Sequence, residues 1–322
     1  MVQSPDQAHY RMIAKRVLDG AVVPFLGAGV NLCGQPESGV WAQGRHLPSG
    51  AQLAEYLADQ FGFPDTKDRT NLLRVSEYID VMLGIGPLYE ELHEVFDDDY
   101  APTPVHRLLA KLPRMIRERN SNGTHYFPLI VTTNYDDSLE RAFREVGEPY
   151  DLVVYIADDP QDHGLFRHSS PDGQSRVIST PNRYRGLEFK ERPVIAKIHG
   201  AVRRRPQERE SFVITENHYI DYLRQADTSR LIPVNVLSRM RNSHFLFLGY
   251  SLKDWNLRVI LNRLRDAGIA WNSWAVQQEP DRVEERFWFR RNIELLDAEL
   301  ETYIHGLEAA LLDPSIGERP VQ

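Results

Sequence analysis

Four short stretches of this chain collect residue types that can do chemistry, and each lies where an apolar run ends. The first is GAGVN, residues 27–31, in which Gly27, Ala28 and Gly29 let the backbone turn sharply and offer amides to an anion, with Asn31 beside them. The spacing departs from the full G-x-G-x-x-G because the next glycine is Gly34, so a structural turn and a nucleotide site fit it equally well. The second is VTTNYDDSLERAF, residues 131–143, where Thr133, Asn134 and Asp136 cluster just before a helical pattern. Helix capping by Thr133 or Asp136 accounts for one of these residues but not for the cluster. The third, IAKIHGAV (195–202), ends its apolar run at His199 beside Gly200, and that histidine is either a packed residue or a base working near neutral pH. The fourth, FLFLGYSLKDWNLRVIL (245–261), sets Gly249 and Ser251 at the head of an amphipathic helix pattern, either as a well-capped turn or beside a polar ligand.

The elements that must position these groups are short apolar runs rich in β-branched residues: AVVPFL (21–26), YFPLIVTT (126–133), DLVVYI (151–156), PVIAKI (193–198), SFVIT (211–215), HFLFLG (244–249) and WNSWAV (271–276). Continuous rather than alternating hydrophobicity predicts strands covered on both faces. Helical patterns follow most of them, so the fold expected is α/β, a Rossmann-like, doubly wound parallel sheet. The four polar stretches then gather at strand C-terminal ends, where such sheets hold their ligands.

About 100 mainly helical residues separate the first two strands, far more than the dozen or so that a crossover needs. They are read as an inserted smaller helical subdomain, residues 35–125. Its signals are Ser49 as N-cap of AQLAEYLADQF, the runs LLRVSEYIDVMLG and LYEELHEVF, and Pro104 opening TPVHRLLAKLPRMIRER. Residues 1–34 and 126–280 form the Rossmann-like unit in this reading, with a long loop over 158–192. Residues 281–322 form a C-terminal helical extension patterned as helix, short strand and helix.

Bulk composition narrows the class. With 322 residues, 42% hydrophobic and 26% charged, the chain is an ordinary globular protein of one large domain or a domain with an insertion. Thirty-eight basic against 46 acidic side chains give a net charge of −8, which argues against a broad grip on nucleic acid. The basic stretches Arg203–Arg205 and Arg114–Arg119 read as solvated surface. No run approaches the roughly 20 apolar residues of a membrane span, and residues 1–20 lack a signal-peptide core. The single cysteine, Cys33, leaves no intrachain disulfide and no cysteine-cluster zinc site. A cytoplasmic protein is expected.

Taken in order, GAG-x-N, T-x-N-x-D, a strand ending in HG, and G-x-S-L resemble the sirtuin fold. The variants TTNYD, KIHG and LGYSLKDWNL resemble the bacterial sirtuin-like (Sir2-family) domains that act in anti-phage defence, and the matching motifs span residues 23–260. That resemblance implies NAD as substrate, lying across the sheet beneath the helical subdomain. Gly27, Ala28 and Gly29 would border the pyrophosphate, with Asn31 and Thr133 also among the cofactor-binding residues. Asn134 and Asp136 would line the nicotinamide-ribose pocket with His199 facing that ribose, and Gly249 and Ser251 would hold the adenosine half. Asn134, His199 and Asp136 are the catalytic candidates. Protein-deacylating sirtuins carry four zinc cysteines after the HG motif, whereas AVRRRPQERESFVITENHYIDY has none, so no zinc is expected and a deacylase reading weakens. The activity implied is NAD hydrolysis to ADP-ribose and nicotinamide by a gated defence effector that depletes NAD. The alternative is an NAD- or ADP-ribose-binding regulatory module of a partner protein. The resemblance also implies a homo-oligomer with a separate protein partner such as a HerA-like ATPase or a short Argonaute, while charge and hydropathy lead to the expectation of no direct nucleic-acid or membrane binding. Phe287, Trp288 and Phe289 are candidates for the contact surface unless they close the main core.

Overall fold

A computed structural model describes residues 4–35, 41–119, 125–202, 210–224, 232–250, 258 and 272–316. In chain order the elements are α1 (Gln7–Leu18), β1 (Val22–Leu26), α2 (Gly50–Gln60), α3 (Leu72–Leu83), α4 (Ile85–Phe96), α5 (Pro104–Arg119), β2 (Leu129–Thr132), α6 (Ser138–Glu145), β3 (Asp151–Tyr155), β4 (Phe166–Ser169), β5 (Ser175–Ile178) and β6 (Val194–Lys197). There follow β7 (Gly200–Ala201), β8 (Ser211–Phe212), α7 (Glu216–Arg224), α8 (Val234–Arg241), β9 (His244–Leu248), β10 (Ser273–Gln277), α9 (Arg282–Phe289), β11 (Ile293–Asp297) and α10 (Leu300–Leu312). Among the described residues nine strands form one sheet in the order β11-β10-β9-β1-β2-β6-β3-β4-β5, parallel from β11 through β3.

Strand alternation sends each strand's apolar residues to two faces. Val23 and Phe25 of β1 join a core with Leu129, Val131, Phe247 and Trp288, while Val22 and Leu26 join the opposite core with α1, α5, α6 and α10. A third core belongs to α2, α3 and α4, and it takes in Tyr135, Val202, Phe212 and Ile214 from the sheet side. Local signals behave as expected: Ser49 and Gln52 close a capping box on α2, and Asn71 caps α3. Among the described residues no helix is long and apolar enough to cross a membrane.

Three expectations need correction. The stretch 158–192 is not one long loop, because β4 and β5 add an antiparallel hairpin beyond β3. Its strands are half polar, with one face open, so no continuous apolar run announces them. What fixes the hairpin is a buried polar chain: the Asp151 carboxylate meets the His168 Nε2 at 2.9 Å and accepts from Arg192 Nε at 2.9 Å. Residues 281–316 hold the expected helix, short strand and helix but are no separate extension, since β11 pairs with β10 from Ile293 to Asp297 and α10 packs against α1. Trp288 is only 1% exposed and closes a main core, and Phe287 packs against that core, while Phe289 stays 72% exposed. Finally, α5 packs with α1 and α10 rather than with α2–α4, so the inserted helical cluster is smaller than residues 35–125.

Candidate active site

Strand order reverses at β1: the chain steps to β2 on one side and returns to β9 on the other, which opens a crevice at their C-terminal ends. The GAG turn and the turn after β9 meet there. Gly27 N donates to Leu248 O at 3.0 Å, and Gly29 N donates to Gly249 O at 2.9 Å. A Cβ on Gly27 or Gly29 would lie 2.7 Å from Gly249 O, and one on Gly249, itself at φ +68°, would lie 2.2 Å from Val30 N. What approaches these glycines so closely is therefore the protein's own backbone. The amides of Gly27 and Gly29 are engaged by it, and that of Val30 donates to Gly27 O at 3.1 Å.

The loop after β2 closes on the same spot. Thr133 N donates to Leu26 O at 3.2 Å, and its hydroxyl hydrogen-bonds the Tyr250 hydroxyl. Asn134 is held at both ends: its backbone N donates to Thr132 Oγ1 at 3.0 Å and its side-chain Nδ2 to Gly27 O at 3.2 Å. Buried Asp136 accepts from Asn31 Nδ2 at 3.1 Å and from Ser138 N, at the start of α6, at 3.0 Å. It therefore ties the first turn to the second loop and to the first residue of α6, whose N-cap position is Asp137. The Asn31 Oδ1 is buried and meets no donor among the described residues. Ser251 lies outside the described residues, as do Arg203–Arg205 and most of the helix pattern that follows Ser251.

His199 arrives on the neighbouring strand. Ile198 N donates to Thr132 O at 3.0 Å, which sets the two strand ends level, and His199 follows at once. Its carbonyl accepts from Val213 N at 2.9 Å, and its ring stands edge-on to Tyr219 at 5.5 Å. Gly200, at φ +88°, is required next because a Cβ would sit 1.8 Å from Ser211 O across the β7–β8 pair. Burial pushes the imidazole of His199 down to about 3, so it is neutral in the folded chain.

Two groups beside the site have no motif in the sequence to mark them. Lys197, 1% exposed, donates to the carbonyls of Tyr135 (3.3 Å) and Asp136 and to Glu140 Oε1 at 3.0 Å. One buried ammonium thus holds the loop that carries Asn134. Burial raises the Glu140 carboxyl, with Lys197 opposing the rise. His106 of α5 is buried too; its Nδ1 accepts from Thr103 N at 3.1 Å, and burial pushes it down to about 4, against the pull of nearby Asp136. Among the described residues no group of three or more His, Cys, Asp or Glu could hold a metal ion.

Both buried histidines make the fold acid-sensitive. The unfolded chain protonates them near pH 6.5 and the folded chain does not, so stability falls as pH drops from about 6.5 toward about 4. Between pH 7 and pH 5 each should cost about 2 kcal/mol. Urea unfolding at the two values checks this, and equal stability would contradict the buried neutral state.

A family model described as the SIR2-like domain matches residues 128–296. The chain is 22% identical over 213 residues to "NAD(+) hydrolase ThsA" of Cytobacillus dafuensis, covering 66% of this chain and 34% of that protein. It is 29% identical over 203 residues to the protein of that name from Acinetobacter baumannii (62% and 33% covered), and 23% over 257 residues to that from Enterococcus faecium (79% and 42%). It therefore spans less than half the length of these relatives. A solved complex of a mutant Sir2 homologue with 2′-O-acetyl ADP-ribose aligns over 97% of this chain and 99% of its own, at 12% identity and a TM-score of 0.39. Because the family match covers more than half of the 322 residues, the chain belongs to the SIR2-like domain family.

Proposed function

We propose that this chain is an NAD hydrolase, cleaving NAD to ADP-ribose and nicotinamide in the crevice between β1, β2 and β9. The observation that carries the reading is the convergence of the Gly27–Asn31 turn, the Thr133–Asp136 loop and Gly249 on the point where strand order reverses, one strand from a neutral histidine. The family and the three similar NAD(+) hydrolases support it.

The residues suit that chemistry. Breaking the bond between ribose C1′ and nicotinamide develops oxocarbenium character, and the leaving group, already cationic, needs no strong acid. Asn134, fixed by Gly27 O and Thr132 Oγ1, orients water or ribose without a charge that must be desolvated. His199, neutral in its buried site, accepts a hydrogen bond from a ribose hydroxyl or the attacking water. The uncommitted Oδ1 of Asn31 offers a buried acceptor to a hydroxyl of the substrate. Asp136 supplies negative charge toward the cationic transition state while it holds Asn31. Ala28 and the turn after it border the pyrophosphate, and Gly249 with Ser251 the adenosine half.

In this reading the protein acts in the cytoplasm as a gated effector of anti-phage defence, because unrestrained NAD cleavage would kill its own host. It assembles with itself and with a separate protein such as a HerA-like ATPase or a short Argonaute. Incubating the purified protein with NAD and following nicotinamide and ADP-ribose tests the central claim. Stoichiometric release of both supports it. Tight NAD binding without turnover, alone and with the partner, would favour the regulatory-module reading, and turnover only with acylated peptide would favour a deacylase.

A further inference from the structure

A cavity of about 460 Å³ is lined by residues of α6, β3, β4 and the 147–150 turn, together with Asp137, Lys197, Ala201 and Val202, which lie near the crevice residues Asp136 and His199 in sequence. That volume falls in the range of small-molecule sites, about 300–1,000 Å³. Its floor follows from strand register: Lys197 of β6, Val154 of β3 and Arg167 of β4 lie in one row, and Leu152 faces Ser169 in the next. The row places two cations on one face about two strand spacings apart, roughly 10 Å, with only a valine between them. Lys197 is neutralised by Glu140, whereas half-buried Arg167 makes no ion pair among the described residues. On the wall, Arg144 shares the Asp137 carboxylate (2.8 Å) with Arg141 (2.8 Å) and donates to the Tyr150 hydroxyl at 3.3 Å.

The opposite need is present as well. Glu140 is 4% exposed and Glu148 9%, and the Oε2 of each is buried with no donor among the described residues. A buried carboxylate oxygen without a donor carries an uncompensated desolvation penalty. A ligand that relieves both conditions brings an anionic group for Arg167 and Arg144, N–H or O–H donors for Glu140 and Glu148, and a flat body to lie over Leu152, Val154 and Tyr150.

We infer that this cavity binds a nucleoside monophosphate, at a site separate from the crevice that holds Asn134 and His199. Its occupant touches the Lys197–Glu140 pair, and so reaches the loop that carries Asn134. Arginine to phosphate is the strongest pairing available here, because a guanidinium can donate two parallel hydrogen bonds.

Titration calorimetry of the full chain with AMP, CMP, GMP and UMP, with inorganic phosphate as control, tests the site. At least one nucleotide should bind more tightly than phosphate, Arg167→Ala should weaken it about tenfold or more, and Leu152→Trp, which fills the floor, should abolish it. Thermal melts of both variants check folding, and Arg167→Lys, which keeps the charge but loses the fork, should retain part of the affinity. No heat from any of the four at millimolar concentration would overturn the inference. Binding unchanged in both Arg167→Ala and Leu152→Trp would do the same, because the nucleotide would then sit in the crevice. NAD conversion, assayed separately, stands or falls without this result.

Discussion

Asn134→Ala and His199→Ala should each lower NAD cleavage by about a hundredfold or more, the scale seen when one preorganised polar group is removed from a reacting centre. Neither should unfold the chain. Asn134→Ala gives up one side-chain hydrogen bond to Gly27 O, a net loss of about 1 kcal/mol, while its backbone tie to Thr132 Oγ1 remains. His199→Ala leaves a buried void costing about 1–3 kcal/mol, tolerable against a typical stability of about 5–15 kcal/mol. Nicotinamide release by each purified variant, beside its melting curve, is the measurement. Parent-like turnover in either would remove that residue from the chemistry, whereas loss of activity together with loss of fold would show that the ring is chiefly structural.

The largest loss of stability should come from Lys197→Met. Removing one partner of a buried pair strands the other charge, at about 3–5 kcal/mol. Here the Glu140 carboxylate is stranded, and the carbonyls of Tyr135 and Asp136 lose their donor as well. The double variant Lys197→Met/Glu140→Leu should recover much of the deficit, because apolar groups of similar size replace a buried pair at little net cost. Urea midpoints of the two variants decide it. A single variant as stable as the parent would mean the pair contributes nothing. NAD cleavage should stay depressed even in the double variant, since the carbonyls beside Asn134 remain without their donor.

How far the fold was legible in the residues depended on burial on both faces. β1, β2, β6 and β9 are buried on both sides, His244 only in part, and apart from Lys197 and His244 they read as apolar runs, and α2 announced itself through Ser49. β4 and β5 did not, because a strand with one open face spends half its positions on polar side chains such as Arg167 and Ser169. The ligand-facing turns were visible, but the reason for their glycines was not. Gly27 and Gly29 answer to Gly249, more than two hundred positions away, and such a contact has no local trace. Lys197 leaves no such mark because lysine is almost never buried unless paired, and its partner Glu140 sits in an ordinary helical charge pattern. His106 was hidden for the opposite reason: nothing in a helix's amphipathic spacing tells a packed histidine from a wet one.

Tyr135 sits between Asn134 and Asp136, yet its ring belongs to the helical cluster, edge-on to Phe96 at 5.5 Å and Phe212 at 5.1 Å, with its hydroxyl donating to Val213 O at 2.8 Å. Mechanically this makes the loop a lever whose pivot lies in one body and whose tip lies in the other. A rotation of α2–α4 that leaves the sheet at rest must either carry Tyr135 with it, turning the side chains of Asn134 and Asp136 that flank it, or break its edge-on contact with Phe96.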